Sequence, residues 1–215
     1  MIASLAGLRD RFVFAGQAVR SLNQVGAFVP TTGAVARAVV EPLRAIEAPR
    51  RVLEVGAGTG ALTGAICSAL GPGDRLFVNE LNTEFVRVLR ERFESVQGPE
   101  LTIVPGDIVD VLTTELASGS RYDAVVSSLP LMNLASDTVQ RIFSLYLDAL
   151  RPGGVVSFYD YFGKEVRVFL GGAAERKRVR EVLAVQRSFL ERFEYERRVV
   201  PWSIPPATVH HLKKP

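Results

Sequence analysis

Gly56, Gly58 and Gly60 follow directly on the apolar run Val52-Leu53-Glu54-Val55 and precede Ala61-Leu62-Thr63, which reads as the start of a helix. Glycine has no Cβ, so a turn built from it lets backbone N–H groups approach a ligand closely. A strand, a glycine turn and a helix start in this order make a seat for an adenosine-bearing cofactor. Two carboxylates bracket the turn. Glu54 stands just before the first glycine, and Glu80 ends a second apolar run, Leu76-Phe77-Val78, about twenty residues beyond the last, where a ribose-binding acid belongs. A third run, Leu101-Thr102-Ile103-Val104, leads into Gly106-Asp107-Ile108. The glycines alone also occur in plain turns and in nicotinamide-binding folds, so it is the order of acid, glycines, acid and Gly-Asp that informs.

That order resembles the class I S-adenosylmethionine-dependent methyltransferases more than the dehydrogenases. The resemblance implies an α/β fold with a Rossmann-like, doubly wound, seven-stranded, mostly parallel sheet. It implies S-adenosylmethionine as methyl donor, S-adenosylhomocysteine as product, and no metal. Glu54, Gly56, Ala57 and Gly58 would hold the methionine and ribose part, Glu80 the ribose hydroxyls, and Asp107 the adenine amino group. The wider cofactor set would comprise Phe28, Thr31, Leu81, Gly106, Ile108, Ser127 and Leu129.

The elements that position these residues are legible from periodicity. Leu5, Leu8, Phe12, Ala15, Val19 and Leu22 recur at helical spacing over residues 4–22, with Arg9, Arg11 and Arg20 on the flanks of the stripe. Such a helix suits either a membrane interface or packing on a core. The chain therefore divides into an amphipathic amino-terminal segment, 1–24, and a methyltransferase domain, 25–215. After a loop at 26–32, whose Thr32 is a candidate cap, a helix is expected over 33–47. Further strands are expected at 122–128, 155–159, 195–200 and 207–212, and helices at 85–93, 108–116, 136–150 and 173–193. Strand and helix alternate as in a parallel sheet covered on both faces.

A chain of 215 residues is of one-domain size. Its mean hydropathy is +0.17, yet no run reaches the ~18 apolar residues of a spanning helix. The single cysteine, Cys67, excludes an internal disulfide and sits inside a predicted helix with nothing to activate it. No secretory leader is read at the start, so a cytoplasmic, monomeric protein is expected. Net charge is only +3, but the cations cluster: Arg9, Arg11, Arg20, Arg37, Arg44, Arg50 and Arg51 early on, then Arg176, Lys177, Arg178 and Arg180. Patches of this kind suit an anionic surface, either nucleic acid or a membrane.

Ligands of an open parallel sheet gather beyond the carboxyl ends of the strands, here including residues 127–133 and 159–162. Residues 28–63 also resemble the ribosomal RNA adenine dimethylases, which carry an Asn-Pro-Pro-Tyr type sequence after strand four to hold a flipped base. This chain has Ser128-Leu129-Pro130-Leu131 there. With Leu131 in place of the stacking ring a base loses roughly 1–3 kcal/mol, which disfavours nucleic acid. Residues 128–133, the amphipathic amino terminus, the Phe28-Val29-Pro30 loop and the tyrosines after strand five together resemble the bacterial phosphatidylethanolamine N-methyltransferases of the soluble, Rhodobacter type. That resemblance implies successive methylation of a phospholipid amine towards phosphatidylcholine, on the inner face of the cell membrane. The membrane would be met through residues 4–22 and the cluster at 176–180. Tyr159, Asp160, Leu131 and Asn133 are the acceptor-side candidates, Asp160 to take a proton and Tyr159 with Tyr161 to cage a methylammonium. Where the family has Tyr-Gly-Pro, this chain has Tyr159-Asp160-Tyr161-Phe162-Gly163. An RNA adenine N6-methyltransferase and a small-molecule amine methyltransferase are the alternatives. His210 and His211 are expected at the surface.

Overall fold

The computed structural model describes residues 33–162 and 172–215. The helix expected over 4–22, the boundary at 24, and Phe28, Thr31, Thr32 and Gly163 lie outside the described residues.

Among the described residues seven strands form one sheet: β1 (Arg51–Val55), β2 (Arg75–Glu80), β3 (Glu100–Pro105), β4 (Tyr122–Ser127), β5 (Leu150–Tyr161), β6 (Glu194–Val200) and β7 (Ala207–Lys213). Their order is β3-β2-β1-β4-β5-β7-β6. The first five are parallel, and β7 runs antiparallel between β5 and β6. The helices are α1 (Gly33–Val40), α2 (Ala61–Ala69), α3 (Thr83–Phe93), α4 (Ile108–Ala117), α5 (Ser136–Ala149) and α6 (Ala173–Phe193).

Because β1 is covered on both faces, its apolar side chains serve two cores. Leu53 and Val55 pack with Val125, Val156 and the inner faces of α4, α5 and α6. Val52 packs with Val78, Val126, Val209 and residues of α1, α2 and α3. The chain winds from β1 outward through β2 and β3, then returns to the other side of β1 with β4. This reversal opens a crevice at the carboxyl ends of β1 and β4, where ligands of such sheets bind.

Some expectations need correcting. The helix expected over 33–47 is α-helical only to Val40 and continues as a 3₁₀ turn, Glu41–Ala45, because Pro42 has no N–H for the α-helical ladder. β5 is longer at both ends than 155–159, because Leu150 already pairs with Tyr122 of β4 and the far end pairs with β7 as far as Tyr161↔Ala207. His210 and His211 are buried, not superficial, since β7 is an inner strand flanked by β5 and β6. Two of the early cations are internal struts. Arg50 donates from Nε and Nη2 to the buried Asp74 and from Nη1 to the Leu43 carbonyl. Arg51 donates to Glu115 at 3.0 Å and lies 4.1 Å from the Phe77 ring centre, so neither serves an external anion.

Candidate active site

The glycine turn is bent by backbone angles that side chains disfavour: φ is +72° at Gly56, +58° at Gly58 and +88° at Gly60. Space is a second constraint. A Cβ on Gly56 would stand 2.8 Å from Leu129 Cδ2, and one on Gly60 only 2.5 Å from Phe93 Cε2. The turn hangs from the end of β2, since Gly56 and Ala57 both donate to the Asn79 carbonyl, at 3.0 and 3.2 Å.

Glu80 closes this arrangement. Its Oε2 accepts from Gly58 N–H at 2.7 Å and its Oε1 from Asn82 N–H at 2.8 Å, so one carboxylate ties the glycine turn to the start of α3. Asn82 in turn caps α3, accepting from Glu84 and Phe85 N–H. Leu81 beside it is 48% exposed, an apolar surface at the mouth of the crevice. The Asn79 amide donates to the carbonyls of Val104 and Gly106, both at 3.0 Å, which fixes the end of β3 against β2. Asp107 follows, half-buried, and caps α4 by accepting from Val109 N–H at 2.8 Å. Ile108 is 7% exposed and belongs to the core, with its backbone at the crevice edge.

Glu54 is the anomaly of the site. It is fully buried and neither oxygen meets a hydrogen-bond partner. Burial pushes its carboxyl up to about 8, with partial relief from the nearby Thr63 and added repulsion from Glu80. An orphaned carboxylate beneath a glycine turn fits a cofactor with a cationic amino-acid end. The unpaired Thr63 hydroxyl beside it belongs to the same pocket of unmet polarity. Cys67, on the next turn of α2, is pushed up to about 11 by burial and by Glu54, and is inert as expected.

Residues 127–133 are stitched to the glycine turn. Ser128 donates from N–H to the Val55 carbonyl at 3.0 Å and from its hydroxyl to the Gly56 carbonyl at 3.1 Å. Ser127 is buried against the Tyr146 hydroxyl, 3.1 Å away, and its Oγ receives Leu129 N–H at 3.4 Å. Leu129 therefore leans over Gly56, joining the expected cofactor and acceptor segments. The 3₁₀ turn Leu131–Asn133 then swings inward. Leu131, expected on the acceptor side, is 5% exposed and packs with Met132 among the α4–α5–α6 core. Asn133 is half-buried at the end of that turn.

At the end of β5 alternate side chains part company. Tyr159 and Tyr161 lie together on the face of α1 and α2, their rings edge-to-face with centres 5.4 Å apart and planes at 78°. Asp160 points to the other face, where Gln186 of α6 donates to its Oδ2 and His210 Nε2 lies 3.7 Å away. His210 stacks on Phe158 with ring centres 5.0 Å apart, and its Nδ1 lies 2.6 Å from Glu194 Oε1. Burial raises the Glu194 carboxyl, but hydrogen bonds from Arg197 and His210 outweigh this and hold it below the usual range. Sequence reasoning missed this chain of Gln186, Asp160, His210 and Glu194. A polar Gln186 on the otherwise apolar buried stripe of Val179 and Val182 was the available signal.

The cluster at 176–180 is divided by the fold. Arg178 is occupied, donating to the Met132 carbonyl at 2.8 Å, and is thereby a strut for residues 131–133. Arg176, Lys177 and Arg180 are exposed.

Comparison with known proteins agrees with this geometry. The sequence profile of the methyltransferase domain family matches residues 52–154. An ornithine lipid N-methyltransferase from Singulisphaera acidiphila is 30% identical over 148 residues, which cover 68% of this chain and 76% of that protein. A malonyl-[acyl-carrier protein] O-methyltransferase from Chlorobium phaeovibrioides is 27% identical over 98% of this chain and 81% of its own length. Among solved structures, an O-methyltransferase from Bacillus cereus in complex with S-adenosylhomocysteine superposes with a TM-score of 0.66 at 16% identity, covering 94% of this chain and 91% of that one. With its acid-bracketed glycine turn at the switch point of a seven-stranded sheet, the chain belongs to the class I S-adenosylmethionine-dependent methyltransferases.

Proposed function

We propose that the protein methylates the amine of a membrane lipid, phosphatidylethanolamine and its mono- and dimethyl forms, at the inner face of the cell membrane. The observation that carries this reading is the kinship with a lipid N-methyltransferase over two thirds of the chain. The carboxyl end of β5 supports it, since two tyrosine rings side by side suit an amine that ends as a fixed cation.

S-adenosylmethionine, when bound, supplies a sulfonium methyl already activated for transfer. The residues assigned to hold it are Glu54, Gly56, Ala57, Gly58, Glu80, Leu81, Gly106, Asp107, Ile108, Ser127 and Leu129; the sequence adds Phe28 and Thr31, which lie outside the described residues. What remains for the protein is to hold a neutral amine oriented towards that methyl group, so that proximity and orientation supply most of the rate. Asp160, expected to take the amine proton, faces α6 and is held there by Gln186, away from the two rings, so in this reading the proton leaves to water beside Tyr159. Tyr159 and Tyr161 hold the methylated headgroup by cation–π attraction of about 0.5–2 kcal/mol. Asn133, at the end of the turn after β4, completes the acceptor side.

The test uses labelled S-adenosylmethionine with phosphatidylethanolamine vesicles, ornithine-lipid vesicles or unmodified ribosomal RNA, and compares Tyr159 variants with wild type. Label is expected in phosphatidylethanolamine. Tyr159→Phe, which keeps the ring, should retain most transfer. Tyr159→Ala should lower lipid methylation severalfold, in line with one cation–π contact, while cofactor affinity by calorimetry stays unchanged. Label in RNA alone would overturn the lipid reading, and a Tyr159→Ala protein as active as wild type would reduce that ring to packing.

A further inference from the structure

The turn between β6 and β7 carries the most exposed large apolar side chains among the described residues, Trp202 at 82% and Ile204 at 83%. Its place in the fold follows from pairing. β7 begins at Ala207, opposite Tyr161 at the carboxyl end of β5, so the turn lies on the same edge of the sheet as the methyl-transfer crevice. Phe162 N–H donates to the Pro206 carbonyl at 2.8 Å, which joins the turn to the end of β5, and Phe162 is itself 54% exposed. The start of α6 reaches that edge as well, because Arg178 is bonded to Met132 after β4. Arg176, Lys177 and Arg180 are exposed there.

We infer that the β6–β7 turn is a membrane anchor: Trp202 and Ile204 enter the headgroup region of an anionic bilayer while Arg176, Lys177 and Arg180 meet its phosphates. This rests on the lipid reading of the acceptor site and adds the surface by which that site meets its substrate. An isolated exposed apolar residue needs no explanation. Here an aromatic, an indole and a branched aliphatic share one edge with three exposed cations, of which Lys177 also lies 3.9 Å from Glu181, a composition that suits an interface where apolar bodies are buried and indole N–H and cations stay wet. An anionic leaflet offers at once a phosphate layer for the exposed cations and an apolar layer for the side chains of the turn. The arrangement also turns the crevice towards the lipid plane, so a headgroup reaches the acceptor site without leaving the bilayer.

Trp202 is the sole tryptophan, so its fluorescence reads the turn directly. With full-length protein and vesicles containing phosphatidylglycerol, its emission should shift to shorter wavelength and be quenched by brominated acyl chains, with a weaker response in neutral vesicles and in high salt. Ile204→Asp should lower vesicle affinity roughly tenfold or more, the loss expected for one apolar side chain kept out of the membrane. The same variant should methylate a monomeric short-chain phosphatidylethanolamine at the wild-type rate. Emission that ignores vesicles overturns the proposal, whether it reports exposed indole throughout or an indole already covered by another segment of the chain. Wild-type vesicle affinity in Ile204→Asp overturns it too. An emission shift with no methylation of any lipid would instead keep the anchor and remove the lipid-acceptor reading.

Discussion

Replacing Glu80 with alanine should weaken S-adenosylmethionine binding by one to two orders of magnitude, about 1.5–3 kcal/mol. Two effects add. The carboxylate assigned to the ribose hydroxyls is lost, and charged acceptors make the stronger hydrogen bonds. The same carboxylate receives Gly58 N–H at 2.7 Å and Asn82 N–H at 2.8 Å, so its removal also frees the glycine turn from the start of α3. Glu80→Gln keeps the shape but offers one acceptor oxygen in place of two, so its loss should be smaller. Calorimetric titration of the three proteins gives the order wild type, Gln, Ala. Unchanged affinity in Glu80→Ala, with an intact circular dichroism spectrum, would remove the residue from the cofactor site.

The second large effect is on stability against pH in the cofactor-free protein. Glu54 has a folded-state value near 8, above its ordinary 4.5. Between those limits the folded chain keeps a proton that the unfolded chain has released, so stability falls as pH rises through the window and levels off above 8. The limiting slope for one proton is about 1.4 kcal/mol per pH unit. His211 acts with the opposite sign. Burial, with help from Arg198 and His210, pushes it down to about 4 from 6.5, so its contribution is present above 6.5 and is lost as pH falls towards 4. The two trends offset below 6.5, and Glu54 is left uncompensated from there to 8. Over that interval wild type should lose roughly 1–2 kcal/mol relative to Glu54→Gln, whose side chain does not titrate. Urea unfolding of both proteins at intervals of pH checks this. A difference between them that does not change with pH would show that Glu54 is already ionised in the folded chain.

What could be read from the sequence was what is local. The glycine turn, Glu54 and Glu80 lie within one strand–turn–helix–strand unit, and the constraints on it act over a few residues, so spacing alone placed them. The parallel part of the sheet was legible for the same reason, since each strand buried on both faces is a short apolar run. Contacts that depend on the return of β7 were not. Asp160, Gln186 and His210 come from three elements and meet only because β7 inserts antiparallel beside β5. Read alone, His210 and His211 near the chain's end look solvated, and nothing local reveals that β6 will cover the far side of their strand. The packing of Leu131 was not legible for a related reason. Its position after β4 marks the acceptor segment, but a single 3₁₀ turn held by Arg178 rotates it into the core.

Phosphatidylethanolamine vesicles turned over with labelled S-adenosylmethionine, followed by separation of the lipid headgroups, test the central claim most directly. The account predicts label first in the monomethyl headgroup and then in the dimethyl and trimethyl forms, all lost in Glu80→Ala at limiting cofactor. Label confined to ribosomal RNA or to a soluble small molecule, with the lipid headgroup unmodified by a protein that binds S-adenosylmethionine normally, would contradict it.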